Sequence, residues 1–178
     1  MRQSIVLIGM MGAGKTAVGT ELARQLGVRF VDSDAEIETA AALTVSEIFE
    51  RFGESFFRER ETQVLERLLS GPAGILATGG GAWVQPRNRD LIGRSAVSVW
   101  LDCDLETLWR RVRSRPTRPL LKTPDPRGTL KRLLAERRPA YALADVTVAV
   151  GQDDLLGVTV DKVLAAIRAA RPDALEPV

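Results

Sequence analysis

No histidine occurs anywhere in the 178-residue chain, and there is a single cysteine, Cys103. The first absence excludes the Ser-His-Asp triad, the imidazole general base and His-ligated zinc. Acid–base work must therefore fall to carboxylates, lysine or tyrosine. The lone cysteine excludes an intramolecular disulfide framework, and Cys103 is expected to pack as a small apolar residue on or beside a strand. A net charge of only +2 supplies no global field for nucleic acid. No segment approaches the length of a membrane span. The apolar run Ser4 to Met11 is too short for a secretory h-region with a cleavage site and leads straight into glycines, so no signal peptide is read and a cytoplasmic location is expected. Repeats, low-complexity tracts and long linkers are missing too. What is present, 45% apolar and 27% charged residues, is ordinary for one globular domain spanning 1–178.

Ser4-Ile-Val-Leu-Ile-Gly9 is short, rich in β-branched residues and ended by glycine, which predicts a buried parallel strand. From Lys15 the period turns helical, with Val18, Leu22 and Leu26 on one face and Gly27 as the stop. Val28 to Asp32, Ile75 to Thr78, Ala96 to Leu101 and Val146 to Val150 read as four more strands. Thr44-Val45-Ser46-Glu47 fits a capping box opening a helix, and Glu54 to Leu69 continues as a longer one. Helices are also predicted over Leu105 to Val112, over Leu130 to Ala144, and around Val160, Val163, Leu164 and Ile167. Between them, residues 113–128 are polar and Pro-rich, which predicts a mobile lid, and the tail 171–178 is expected to fray. Strands alternating with helices imply a three-layer α/β sandwich on a five-stranded parallel sheet.

Gly9-Met10-Met11-Gly12-Ala13-Gly14-Lys15-Thr16 matches G-x-x-x-x-G-K-[ST], with the required strand before it and helix after it. Glycines let backbone N–H groups converge on phosphates, and the helix N-terminus adds its dipole. Lys15 brings a point charge to the β- and γ-phosphates, and Thr16 a hydroxyl to Mg²⁺. Gly12, Ala13, Gly14, Lys15, Thr16 and Ala17 are the nucleotide-binding candidates. The motif marks a nucleoside triphosphate site and does not name an acceptor. A GTPase would carry N-K-x-D, but the chain's one asparagine, Asn88, precedes Arg89; a protein kinase would need H-R-D. A compact metabolite kinase with a closing lid remains.

The chain resembles the shikimate kinase family over roughly residues 4 to 150. The resemblance rests on Gly12-x-Gly14-Lys15-Thr16, Asp32-Ser33-Asp34, Ile48-Phe49 with Gly53-Glu54, and Phe57-Arg58-x-x-Glu61. It continues through Gly79-Gly80-Gly81, Arg118-Pro119-Leu120-Leu121 and Arg137-x-Pro139-x-Tyr141. It implies ATP and shikimate as substrates, Mg²⁺ as cofactor, a monomer, and no nucleic-acid or membrane partner. A gluconate kinase is the alternative.

Two readings stand beside each other at several positions. Asp32, Ser33 and Asp34 all make good helix caps; the resemblance places Asp34 on the acceptor hydroxyl and Asp32 near Mg²⁺. Arg58 lies in the charged run Arg58-Glu59-Arg60-Glu61, which by itself fits a solvated helix face. The preceding Phe56-Phe57 suggests a pocket wall, and a guanidinium suits a carboxylate. The resemblance gives the shikimate carboxylate to Arg58 and Arg137, with Glu61 holding Arg58 and with Phe49 and Phe57 walling the ring. Gly79, Gly80 and Gly81 are more glycine than a turn needs, which suggests close backbone approach to a ligand. The resemblance further implies Arg118 as an arginine finger, catalytic with Lys15 and Asp34, and an adenine-stacking arginine for which Arg111 fits best by spacing. Arg110, Arg113 and Arg115 are its rivals.

Overall fold

The computed structural model describes residues 1–114 and 123–176. Five strands, β1 (Ser4–Ile8), β2 (Phe30–Asp32), β3 (Ile75–Ala77), β4 (Ala96–Cys103) and β5 (Val146–Val150), form one parallel sheet in the order β2-β3-β1-β4-β5. Helix α1 (Lys15–Leu26) follows β1, and α2 (Ser33–Ala41) and α3 (Val45–Leu69) follow β2. Helix α4 (Pro86–Ser95) precedes β4, while α5 (Leu105–Val112) and α6 (Pro126–Tyr141) lie between β4 and β5; α7 (Leu156–Ala170) follows the last strand. β1 is buried along its whole length because helices cover both faces, which is why its sequence shows no polar alternation. This is the predicted three-layer α/β sandwich. A parallel sheet puts all strand ends on one edge, so the loop after β1, Asp32 at the end of β2 and the glycines after β3 share it.

The predicted elements recur with local differences. The capping box at Thr44 forms as read: Glu47 N donates to Thr44 Oγ1 at 3.2 Å, and Thr44 N donates to Glu47 Oε2 at 2.8 Å. Gly53 interrupts α3 with φ 82°, so the helix is two segments meeting at a kink. Helix α6 starts at Pro126 rather than Leu130. Asp125 caps it, accepting from Gly128 N at 2.9 Å, and a proline suits the first helical turn. That removes the last residues from the expected lid, of which 115–122 lie outside the described residues. Of the tail expected to fray, residues 177–178 lie outside the described residues, and the part before them makes a defined turn. Pro172–Leu175 form a 3-10 turn whose Ala174 is fully buried and accepts from Arg2 N at 3.1 Å. Cys103 is buried at the end of β4, and burial pushes its thiol up to about 11, which makes it an inert packing residue.

Helix α1 must lie close to the sheet to carry the phosphate loop, and Gly19 allows it. A Cβ at Gly19 would lie 2.5 Å from Phe30 Cε2 and 3.2 Å from Leu7 Cδ1. Gly19→Ala is therefore expected to lower unfolding stability by about 1–3 kcal/mol, although alanine favours the helix by about 1 kcal/mol. Urea denaturation measures this, and an unchanged midpoint would show that Phe30 yields without cost.

Candidate active site

A cavity of about 1340 Å³ opens along the carboxyl edge of the sheet. One end is the phosphate loop. Gly12 (φ 82°) and Gly14 (φ 95°) hold left-handed backbone that turns the chain into α1, whose first residues line the cavity. Lys15 Nζ donates to Gly9 O at 2.8 Å and Met10 O at 2.9 Å, so its ammonium lies over the loop. Thr16 Oγ1 donates to Asp32 Oδ2 at 3.1 Å. Asp32 Oδ1 also accepts from Asp34 N at 3.0 Å, so Asp32 caps α2 while facing Thr16. The cap reading of Asp32 holds, and its second oxygen is on the Thr16 hydroxyl.

The other end is built on the turn after β3. A Cβ at Gly79 would lie 2.8 Å from Asp34 Oδ1, and one at Gly80 would lie 2.9 Å from Arg137 Nη1. At Gly81 it would overlap the guanidinium of Arg58. None of the three has a left-handed φ, so the glycines serve close approach rather than backbone freedom. Three charged side chains from α2, α3 and α6 thus converge on one turn. The approach that the sequence suggested for a ligand is made by the protein's own side chains.

Arg58 is not on a solvated face: its side chain is 19% exposed, and its Nη1 donates to both oxygens of Glu61 at 3.0 and 3.1 Å. Phe57 is buried below it, with the Arg58 guanidinium carbon 5.3 Å from the ring centre and the Phe49 ring 4.7 Å from the Phe57 ring. On α6, Arg137 turns into the cavity, while Arg138 turns out, pairing with Asp102 at 2.8 Å and stacking on Trp100 at 5.2 Å. Of the two adjacent arginines, the one at the start of Arg137-x-Pro139-x-Tyr141 lines the cavity. Tyr141 Oη donates to Gly80 O at 2.6 Å.

Burial dominates the electrostatics here. Asp34 Oδ1 is buried without a hydrogen-bond partner. Burial and the neighbouring Asp32 charge raise the Asp34 pKa, against Lys15 and Arg58, which lower it. Glu61 is pushed up to about 7, because burial outweighs Arg58 and Arg137. A buried carboxylate with spare acceptor capacity beside a transferring-phosphate site can take a hydroxyl proton. Thr16 and Asp32 offer hard oxygens at the end of the phosphate loop, the donor type that suits Mg²⁺ shared with a nucleotide.

The shikimate kinase family model matches residues 11–168. The chain belongs to the shikimate kinase family. It is 53% identical over 176 residues to a shikimate kinase of Ruegeria pomeroyi, which covers 99% of this chain and 90% of that protein. Its fold matches the structure of a shikimate kinase from Acinetobacter baumannii in complex with shikimate, with a TM-score of 0.87 and 39% identity over 98% of this chain and 96% of that one. A gluconokinase from Sinorhizobium meliloti matches with a TM-score of 0.63 and 20% identity over 96% and 95% of the two chains. That likeness shows the shared fold alone.

For a shikimate kinase, the cavity gathers most of the residues singled out in the sequence: Gly12 to Ala17, Asp32, Asp34, Phe49, Phe57, Arg58, Glu61, the three glycines and Arg137 all line it. Arg111 lines it too, donating from Nη1 to Gly12 O at 3.3 Å and Ala13 O at 3.4 Å, whereas Arg110 and Arg113 are exposed. Arg118 and Arg115 lie outside the described residues. The sequence reading missed Glu38, whose Oε1 accepts from Val45 N at 2.9 Å and ties α2 to the start of α3. It also missed the loop after β5, where Asp154 accepts from Gly151 N at 2.7 Å and lines the cavity with Arg111. The position of that loop, just past the carboxyl end of a parallel strand, was the available signal.

Glu61 ionises at the ordinary carboxylate value when unfolded and near 7 when folded. The folded state therefore binds more protons in between, and the stability this contributes is full below the ordinary value and lost as pH rises through 7. Relative to Glu61→Gln, the wild type should lose unfolding free energy from pH 5 to pH 8. Urea titrations of both proteins check it, and parallel pH profiles would contradict it.

Proposed function

We propose that the protein transfers the γ-phosphoryl group of ATP to the 3-hydroxyl of shikimate, with Asp34 acting on that hydroxyl and Arg58 and Arg137 holding the shikimate carboxylate. The observation that carries this is the convergence of Asp34, Arg137 and Arg58 on Gly79, Gly80 and Gly81 at the cavity's far end from Arg111. A carboxylate acceptor between two guanidinia, with a carboxylate base beside it, fits a ring acid carrying hydroxyls. Phe49 and Phe57 wall the ring, and Glu61 fixes Arg58 by accepting twice from Nη1.

The loop amides and Lys15 hold the β- and γ-phosphates, and Arg111 stacks on adenine beside the loop. Thr16 and Asp32 would hold Mg²⁺, which supplies charge neutralisation on the phosphates when bound with the nucleotide. As the acceptor oxygen forms its bond to the γ-phosphorus, its proton passes to Asp34 and the bond to the ADP oxygen breaks in line. Arg118, by resemblance, offsets charge on the moving phosphoryl group. Among the described residues no helix is long and apolar enough to cross a membrane, in keeping with a cytoplasmic enzyme.

A coupled ADP-release assay with shikimate and gluconate tests the acceptor directly: turnover with shikimate is expected, and turnover with gluconate alone would overturn the reading. Asp34→Asn keeps the shape and the helix position but not the base. It should lower kcat about 10²–10⁴-fold while ATP affinity stays near wild type. Arg58→Ala and Arg137→Ala should each raise the shikimate KM more than about tenfold, since losing one partner of a desolvated charge pair costs about 2–5 kcal/mol. Equal loss of ATP and shikimate affinity would place these arginines wrongly.

A further inference from the structure

Behind the Arg58–Gly81 contact lies a polar bridge in which neither side chain lines the cavity. Thr62 stands one helical turn beyond Arg58 on α3, and Ala82 directly follows Gly81. Between them sits Asn88, in the first turns of α4 and fully buried. Asn88 Nδ2 donates to Ala82 O at 2.9 Å, and its Oδ1 accepts from Thr62 Oγ1 at 2.7 Å. The amide orientation is fixed by this pattern, because turning it over would set Oδ1 against the Ala82 carbonyl. Thr62 Oγ1 also lies 3.1 Å from Arg58 O, but a hydroxyl donates once, and the shorter contact is to Asn88.

We propose that Asn88 and Thr62 are positioning residues that set the gap between the Arg58 helix and the glycine turn, and so tune the enzyme for the acceptor's carboxylate without touching it. This rests on the assignment of that carboxylate to Arg58 and Arg137. The geometry gives such a brace a purpose. The Arg58 guanidinium occupies the space where a Cβ at Gly81 would stand, so its packing depends on how α3 and the turn are set against each other. A small outward shift of the turn would carry Gly81 away from Arg58 and leave the guanidinium without its wall. On the opposite side the turn is already fastened to α6, through Tyr141 Oη to Gly80 O at 2.6 Å and Trp83 Nε1 to Ala140 O at 2.7 Å. The Thr62–Asn88 bridge is the matching tie toward α3. The phosphate loop has no part in it, so the nucleotide end should not sense its loss.

Thr62→Val keeps the shape and removes the hydroxyl donor; Thr62→Ser keeps the donor. Steady-state kinetics of both, alongside Arg58→Ala, form the test. Positioning predicts that Thr62→Val raises the shikimate KM about tenfold with the ATP KM unchanged, since sub-ångström misplacement is enough for such losses. Thr62→Ser should restore the wild-type shikimate KM. A folded Thr62→Val enzyme with a normal shikimate KM, while Arg58→Ala raises it, would overturn the positioning role alone. If Arg58→Ala also leaves that KM unchanged, the carboxylate assignment fails with it. Equal rises for both substrates would assign Thr62 to general stability and likewise overturn the proposal. Should Thr62→Val not fold, Asn88→Ser keeps one hydroxyl for Ala82 O while breaking the reach to Thr62, and the same shikimate-specific rise is expected.

Discussion

Three missing Cβ atoms let one end of this cavity close up. Asp34, Arg137 and Arg58 each come within contact distance of where a side chain would begin on Gly79, Gly80 or Gly81. Any larger residue there would displace Asp34, Arg137 or Arg58, side chains that helices α2, α6 and α3 bring from distant parts of the chain. Converging like-charged guanidinia is unfavourable in isolation, and the structure offsets it with the buried carboxylate of Glu61 beside both. Burial in turn raises the pKa values of Asp34 and Glu61, that of Glu61 to about 7, so the same closeness that shapes the pocket makes its carboxylates better proton acceptors than exposed ones.

The nucleotide end obeys a different rule. There the glycines do adopt left-handed backbone, which leads into the start of α1. Glycine therefore has two functions in one cavity: conformational freedom at Gly12 and Gly14, and absence of bulk at Gly79 to Gly81. The parallel sheet relates the two ends, since β1 feeds the phosphate loop and β3, hydrogen-bonded beside it, feeds the glycine turn. Asp32, at the end of β2, reaches from the second end to the first through Thr16.

Much of this was legible in the residues. The phosphate loop, the strand order of appearance and the capping box at Thr44 depend on local rules, and local rules are written in short segments. The placement of Arg58 was only half legible, because in Arg58-Glu59-Arg60-Glu61 the two outer residues turn inward and the two inner ones face out, which composition cannot distinguish. Arg137 was legible from its spacing to Pro139 and Tyr141, whereas the pairing of Arg138 with Asp102 depends on how α6 is rotated, which the sequence alone does not state. The bracing of the glycine turn by Asn88 was invisible, since it joins residues 26 positions apart through a hydrogen bond. The tail went astray for the same reason: Ala174 is ordered by Arg2 and Gln3, at the far end of the chain.

The central claim is that the absence of side chains on the glycine turn forms the acceptor site. Calorimetric titration of Gly81→Ala with shikimate and with ATP tests it most directly. Gly81 has no left-handed φ, so alanine is tolerated by the backbone, but its methyl would overlap the Arg58 guanidinium. The account predicts a loss of shikimate affinity of about tenfold or more, as expected when one desolvated charge partner is displaced, with ATP affinity near wild type. A Gly81→Ala protein that binds shikimate as tightly as the wild type would contradict it.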